Sequence, residues 1–258
     1  MKFVVVISKK DKAGMNILDK LKGSDFKKIF LIEEESIYAS PQQLNNLDAD
    51  FIIFATKHQS EQHRKTLSVH APGNWHKAEF GGEPRKLCKT SAIVIKKLFL
   101  ELTKQAITKP EYQVTLEVTH HGPFLEKPCC FIEIGSTKEE WQDEEAGKII
   151  ARTIVEFTKI KLEKTIPVIP TILLGGGHYS QAANKITLRT DYAFGHICPK
   201  YMLEHLDEKM LAQAINKTAP KPELVLLDWK GLGKYKQKIV TLLEKIGLKY
   251  EKVQKVLH

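Results

Sequence analysis

Three histidine groups in this sequence stand where strand-forming residues give way to glycine: Thr119-His120-His121-Gly122-Pro123, Gly175-Gly176-Gly177-His178-Tyr179 and Gly195-His196. In α/β sheets, ligands collect in the crevice beyond the carboxyl ends of the strands. Three strands delivering imidazoles there would build one cluster. Such a cluster has two chemical uses. Neutral imidazoles hold a metal ion whose bound water becomes hydroxide near neutral pH. Alternatively, one imidazole acts as general base on water, an effect typically worth about 10²–10⁴-fold. His58, His70, Glu133 and Cys198 are available to supplement either arrangement. Gly175 to Gly177 form a tight turn, and their backbone N–H groups are also free to approach a substrate oxygen.

The elements that must position these groups can be read from periodicity. Tyr112 to Thr119 alternates, with Val114, Leu116 and Val118 on one face and Thr115, Glu117 and Thr119 on the other. On a regular strand His121 continues the polar line and His120 the apolar one, unless a bulge brings both round. Further strands are expected at Phe3 to Ser8, Lys28 to Ile32, Phe51 to Ala55, Leu67 to His70, Phe131 to Ile134, Ile166 to Leu174, Ala193 to Cys198 and Glu223 to Asp228. Helices are expected over Asp11 to Leu21, with Met15, Ile17, Leu18 and Leu21 inward and Asp11 as N-cap. Others cover Thr90 to Ala106, the capping box at Ser136-Thr137 to about Glu163, Lys200 to Ile215 and Lys234 to Ile246. This alternation predicts an α/β fold with a mixed or mostly parallel sheet flanked by helices, in one domain spanning residues 1–258. Thr56 to Leu87 lacks clean periodicity and carries four of the ten histidines. Long irregular stretches of this kind are commonly functional.

Composition, with 42% apolar and 28% charged residues, is that of an ordinary globular protein rather than a disordered one. No apolar run approaches a membrane span, and Phe3 to Ile7 is too short for a signal peptide's apolar segment, so a cytoplasmic protein with no membrane contact is expected. The four cysteines lack Cys-X-X-Cys spacing and read as buried free thiols. There is no phosphate loop, no Gly-X-Ser-X-Gly elbow and no complete dinucleotide fingerprint, which disfavours a nucleotide-driven motor or a simple serine hydrolase. Net charge is +9, and residues 217–258 hold ten Lys against four acids. A basic C-terminal portion of this kind raises the local concentration of a polyanion.

Taken together, several blocks resemble the archaeal-type D-aminoacyl-tRNA deacylase family, shared by archaea and plants. They are Lys57-His58, Leu67-Ser68-Val69-His70, Gly73-Asn74, Gly81-Gly82, Glu117-Val118-Thr119-His120-His121-Gly122-Pro123, Ile132-Glu133-Ile134-Gly135-Ser136, Glu140-Trp141, Gly175-Gly176-Gly177-His178-Tyr179 and Gly195-His196-Ile197-Cys198-Pro199-Lys200-Tyr201. The resemblance covers about residues 3 to 205. It implies hydrolysis of the ester joining a D-amino acid to the 3′-terminal adenosine of tRNA, zinc as cofactor, and a fold of the peptidyl-tRNA hydrolase and phosphorylase class. The basic portion 217–258 then contacts the tRNA backbone, and no protein partner is implied. On this reading His121 is base or metal ligand, with His120, His178 and Glu133 as its catalytic partners. Gly176 and Gly177 are oxyanion donors, and Tyr179, Lys57 and Asn74 bind substrate. His58, His70 and His196 complete a metal site, and Trp75 belongs to the core. Two alternatives stay open: hydrolysis of peptidyl- or N-blocked aminoacyl-tRNA, and a tRNA-binding protein without catalysis.

Overall fold

The computed structural model describes residues 1–160 and 168–257. The expected helix end at Glu163, the strand start at Ile166 and the terminal His258 lie outside the described residues. The strands are β1 (Phe3–Ser8), β2 (Ile29–Ile32), β3 (Phe51–Gln59), β4 (Thr66–His70), β5 (Thr90–Ser91), β6 (Gln113–Leu116), β7 (Cys129–Ser136), β8 (Ile169–Leu174), β9 (Tyr192–Cys198), β10 (Thr218–Ala219), β11 (Leu224–Leu227) and β12 (Lys249–Lys252). The helices are α1 (Lys12–Lys22), α2 (Pro41–Asn45), α3 (Ala92–Gln105), α4 (Lys138–Trp141), α5 (Glu144–Lys159), α6 (Gln181–Arg189), α7 (Glu208–Asn216), α8 (Lys236–Lys245) and α9 (Val253–Val256). One sheet has the order β2-β1-β3-β7-β4-β6, parallel except where β4 meets β7. A second, β12-β11-β8-β9, is parallel throughout, and β10 pairs with β5. The expected α/β architecture with a largely parallel sheet flanked by helices is what the chain adopts.

Register decides which face of the first sheet carries chemistry. Phe54, Thr56 and His58 on β3 stand beside Phe131, Glu133 and Gly135 on β7. Those three in turn face His70, Ser68 and Thr66 on β4, and Ser68 is aligned with Thr115 on β6. Because paired residues share a face of the pleat, one face runs from apolar Phe54 and Phe131 to polar His58, Glu133 and His70. The opposite face carries Ile53, Ala55, Leu67, Val69, Ile132 and Ile134 into a core shared with α1, α3 and α5. That core also takes in Leu173, Phe194, Ile197 and Leu226, so it joins both sheets. Gly14 lets α1 lie close to the sheet, since a Cβ there would meet the Ala55 carbonyl at 3.0 Å.

Some elements differ from expectation for identifiable reasons. Met15 faces outward, with Ala13 and Gly14 buried in addition to Ile17, Leu18 and Leu21, which face inward as expected. The helix expected from Thr137 to Glu163 is broken into α4 and α5. Asn16 Nδ2 takes the carbonyls of Trp141 (3.1 Å) and Asp143 (2.8 Å), and the Asp143 carboxylate caps Glu145 and Ala146 as a second N-terminus. The helix expected from Lys200 starts only at Glu208, capped by Asp207, after a single 3₁₀ turn at Lys200–Met202. All four cysteines are buried free thiols, as expected. Among the described residues no helix is long and apolar enough to cross a membrane.

Candidate active site

β3 continues past the apolar run to Gln59 and brings Lys57 and His58 to the sheet's carboxyl edge. Room for the His58 ring comes from Gly135 across the ladder, where a Cβ would lie 2.9 Å from His58 Cδ2 and 2.5 Å from Thr66 Oγ1. His70 enters from antiparallel β4 and stacks on Phe131 (centroids 5.2 Å apart, 12° between planes). β6 itself stops at Leu116, and the next residues bond to other segments. Glu117 bridges to Tyr179, the Val118 N–H donates to the His178 carbonyl and the Thr119 N–H donates to that of Ile197. The expected alternation therefore ends before the histidine pair. His121 takes a positive φ of 44°, and both imidazoles turn to one centre, their ring centroids 4.3 Å apart. His178 arrives from the second sheet. Gly175 and Gly176, at φ of 106° and 89°, reverse the chain after β8 so that residues 178–180 lie along 116–118.

Two buried carboxylates sit at the middle of these rings. Glu117 Oε2 is 3.0 Å from His178 Nε2, 3.4 Å from His58 Nδ1 and 3.6 Å from His120 Nε2. Glu133 Oε2 is 3.5 Å from His58 Nδ1 and 3.6 Å from His70 Nε2, and Glu133 Oε1 is 4.0 Å from His121 Nε2. Backbone carbonyls set the tautomers of three rings. Nδ1–H donates to Val118 in His120 (2.8 Å), to Gly122 in His121 (2.7 Å) and to Ala71 in His70 (3.2 Å). In the neutral form their Nε2 atoms then present lone pairs towards carboxylates, an arrangement that needs a positive charge between them. His70 Nε2, Glu117 Oε1 and Glu133 Oε2 are buried without a hydrogen-bond partner.

The electrostatics carry the same strain. Burial opposes charge on His58, yet the Glu117 and Glu133 carboxylates outweigh it and raise its pKa to about 9. His70 shifts up similarly, against burial, through Glu133. His121, buried and next to His70, falls to about 4, and His120 is pushed down by burial and by His121. Burial works against ionisation of Glu133, but His58 and His70 hold it well below the usual carboxylate range. Bringing several imidazoles and two carboxylates out of water is costly unless a cation completes the set.

The donors fit a metal ion. His58, Glu117, His120 and His178 offer atoms that all lie within 4.8 Å of one another, as do the overlapping sets His70, His120, His121 and His70, Glu117, Glu133. Imidazole nitrogen with carboxylate oxygen suits zinc and its neighbours among the divalent ions. Each of His70, His120 and His121 has its far nitrogen oriented by a backbone carbonyl, as metal-ligating histidines usually do. Tyr179 Oη lies 3.0 Å from His58 Nε2, and the Trp141 indole N–H donates to the His58 carbonyl at 2.9 Å.

The structure thus brings His58, His70, His120, His121, His178, Glu133 and Tyr179 together. It does not bring in His196. Gly195 and His196 lie inside β9 rather than after it, with Gly195 making room for the Thr218 side chain. His196 Nε2 donates to the Cys88 carbonyl (3.1 Å) while Nδ1 faces the Thr119 hydroxyl (3.2 Å), and none of the clustered sets includes it. Gly176 packs against Gly231 and Asp228, and its carbonyl accepts from Lys200. Neither Gly176 nor Gly177 lines the two cavities at the histidines. Lys57 lines the larger cavity, paired with Glu35 at 3.2 Å. Asn74 lines the smaller one while its amide donates to the Gly81 carbonyl (2.9 Å). Trp75 is core, its indole N–H given to the Thr119 carbonyl. Glu117 is the residue that sequence reasoning missed. Its signal was its place on the polar face of the strand leading to the histidine pair.

An α/β enzyme with a buried imidazole–carboxylate centre at the meeting of two sheets is the class that this fold and site define. The profile described as D-aminoacyl-tRNA deacylase matches residues 45–251. Proteins named D-aminoacyl-tRNA deacylase are 35% identical in Archaeoglobus fulgidus (98% of each chain covered) and 34% identical in Methanocaldococcus jannaschii (98% of this chain, 100% of that one). The crystal structure of a conserved protein of unknown function, AF0625, superimposes with a TM-score of 0.91 at 34% identity, covering 99% of this chain and 96% of that one. The chain belongs to the D-aminoacyl-tRNA deacylase family.

Proposed function

We propose that this chain hydrolyses the ester between a D-amino acid and the 3′-terminal adenosine of tRNA, using the imidazole–carboxylate centre with a bound divalent ion, zinc by family likeness. One observation carries the reading: imidazoles and two buried carboxylates from β3, β4, β7 and the segments after β6 and β8 converge with unpartnered donor atoms in one cleft. His58, Glu117, His120 and His178 would hold the ion, with His70 and Glu133 beside them. When bound, such an ion polarises a carbonyl and acidifies water.

An aminoacyl ester is already activated, so a positioned water and a base suffice without a covalent nucleophile. His121, kept neutral by burial, is the group to accept the water's proton at Nε2. Glu133, 4.0 Å from that nitrogen, steadies the imidazolium that results, which returns the proton to the 3′-oxygen of the ribose as the acyl–oxygen bond breaks. Tyr179 orients the His58 ring through its hydroxyl. Residues 1–258 act as one unit in the cytoplasm, and the lysines of 217–258 contact the tRNA backbone.

Incubation with matched D- and L-tyrosyl-tRNA, with and without a chelator, tests the reading. Release of D-tyrosine alone, stopped by the chelator and restored by zinc, is the expected result. Release from N-acetyl-L-aminoacyl-tRNA but not from the D-ester would transfer the site to the N-blocked substrates.

A further inference from the structure

The histidines form a wall between two cavities. His120, His121, His178 and Phe80 line both. On one side lies a cleft of about 950 Å³ that also reaches Lys57, His63, Lys138 and Trp141. On the other lies a cavity of about 300 Å³ reaching Trp75, Tyr201 and Met202, with Lys77 and Glu79 among its remaining walls. Both fall within the range of about 300–1,000 Å³ usual for small-molecule sites. They differ in size and in what they offer.

We propose that the wall divides the substrate at its ester: the smaller cavity takes the side chain of the D-amino acid, and the larger cleft takes the 3′-terminal adenosine. This rests on the deacylase reading of the centre. Attack at the carbonyl requires that carbon to sit against the histidines, and from there the substrate extends in two directions. The nucleoside continues into a polyanionic strand, so it needs room, an open side and cations. The larger side has that room, and Lys57 and Lys138 stand on its wall among carboxylates, Lys57 paired with Glu35 at 3.2 Å, beside the half-buried Trp141 ring, whose aromatic surface suits a base. The smaller cavity is backed by the buried Trp75, whose indole N–H is already committed to Thr119, and by the Met202 thioether and the Tyr201 and Phe80 rings. These surfaces suit an apolar or aromatic side chain. Met202 stands at the tight 3₁₀ turn Lys200–Met202, whose first N–H is held by the Gly176 carbonyl, so the wall it forms is fixed to the same loop that carries His178. The arrangement also reads chirality. With the carbonyl and α-amine fixed, inverting the α-carbon exchanges side chain and hydrogen, and the side chain no longer points into the smaller cavity.

Met202 is the residue to vary. Each methylene in such a pocket is typically worth about 10–200-fold in discrimination. Met202→Trp, which narrows the cavity, is expected to lower kcat/KM for D-tyrosyl-tRNA about tenfold or more beyond its effect on D-alanyl-tRNA. Met202→Ala, which widens it, is expected to raise D-tryptophanyl-tRNA relative to D-alanyl-tRNA, and it carries the test alone if the larger residue prevents folding. Equal changes across the three esters, or the reverse order, would overturn the division of the cavities. A parent protein that releases amino acid from none of the D-esters would instead overturn the deacylase reading, so the two failures are distinguishable.

Discussion

His178 Nε2 lies 3.0 Å from Glu117 Oε2, a contact between residues 61 positions apart that joins the two sheets at the histidine-lined cleft. Glu117 follows β6 in the first sheet, and His178 follows β8 in the second. The same carboxylate oxygen is within 3.6 Å of His120 and 3.4 Å of His58. Removing its charge should therefore loosen several imidazoles at once. Glu117→Gln keeps the shape and loses the anion. We expect at least 10²-fold lower D-aminoacyl-tRNA hydrolysis together with less zinc retained per chain after dialysis. Full zinc content with full activity in that variant would remove Glu117 from the centre.

Metal removal should act on the centre while leaving the fold largely in place, because the larger apolar cluster lies on the other face of the sheet and the cluster around Phe54 and Phe131 holds the near face beside the centre. After exhaustive chelation, hydrolysis should fall by 10² or more and return on adding zinc. Far-ultraviolet dichroism should change little. Thermal stability should drop, since an ion that binds only the folded chain stabilises it by mass action. A chelated protein that hydrolyses at the parental rate would confine the cluster to a role without metal.

Gly135 gives a steric prediction. Gly135→Ala puts a methyl 2.9 Å from His58 Cδ2 and 2.5 Å from Thr66 Oγ1, inside a fully buried ladder. Overpacking of this kind typically costs about 1–3 kcal/mol. The variant should melt several degrees lower and lose activity as His58 is displaced. Adding Thr66→Ser, which removes a methyl but keeps the hydroxyl in the clash, should help less than Thr66→Ala. Melting curves of the three proteins check that order.

Much of the fold was legible because its signals are local. The alternation in β1, the apolar run of β3 and the Asp11 cap of α1 each follow from side-chain period or from one capping group. Sheet order is set by distant pairing, so neither the split into two sheets nor the antiparallel β4 is written in any single segment. The break between α4 and α5 depended on Asn16, which lies 125 residues from Trp141. Within the site, His120, His121 and His178 were legible from strand ends beside glycine. The same cue misled at Gly195-His196, where glycine serves close packing inside β9 rather than a turn. Gly176 and Gly177 were legible as a turn, and the turn's product is the placement of His178.

The pH dependence of stability should carry the mark of His196. Fully buried, with Nε2–H given to Cys88, its pKa falls to about 3 chiefly through burial. The unfolded chain takes up a proton near pH 6.5 that the folded chain refuses until about pH 3. Stability from this group is therefore lost as pH falls through that window, at up to about 1.4 kcal/mol per pH unit. His196→Gln, which retains an amide donor for the Cys88 carbonyl, should be less stable than the parent at pH 7 and lose less on going to pH 4.5. Urea unfolding at both pH values measures the difference. Parallel losses in the two proteins would mean that His196 does not set this part of the acid limb.

Asp11 links the start of α1 to the strand that carries His58. Its Oδ1 accepts from the Gly14 N–H at 2.8 Å, while Oδ2 accepts from the Thr56 hydroxyl and from the Lys57 N–H at 2.9 Å. Burial raises its pKa, partly offset by these donors. Asp11→Ala would leave three donors unpaired, two of them buried and one partly buried, and each buried group typically costs about 1–3 kcal/mol. Asp11→Asn keeps one acceptor oxygen and should cost clearly less. Because Lys57 and His58 follow Thr56 directly on β3, the alanine variant should also show a raised KM for D-aminoacyl-tRNA where the asparagine variant shows little change. If both variants matched the parent in melting temperature and KM, the carboxylate would not be what aligns β3 with the cleft.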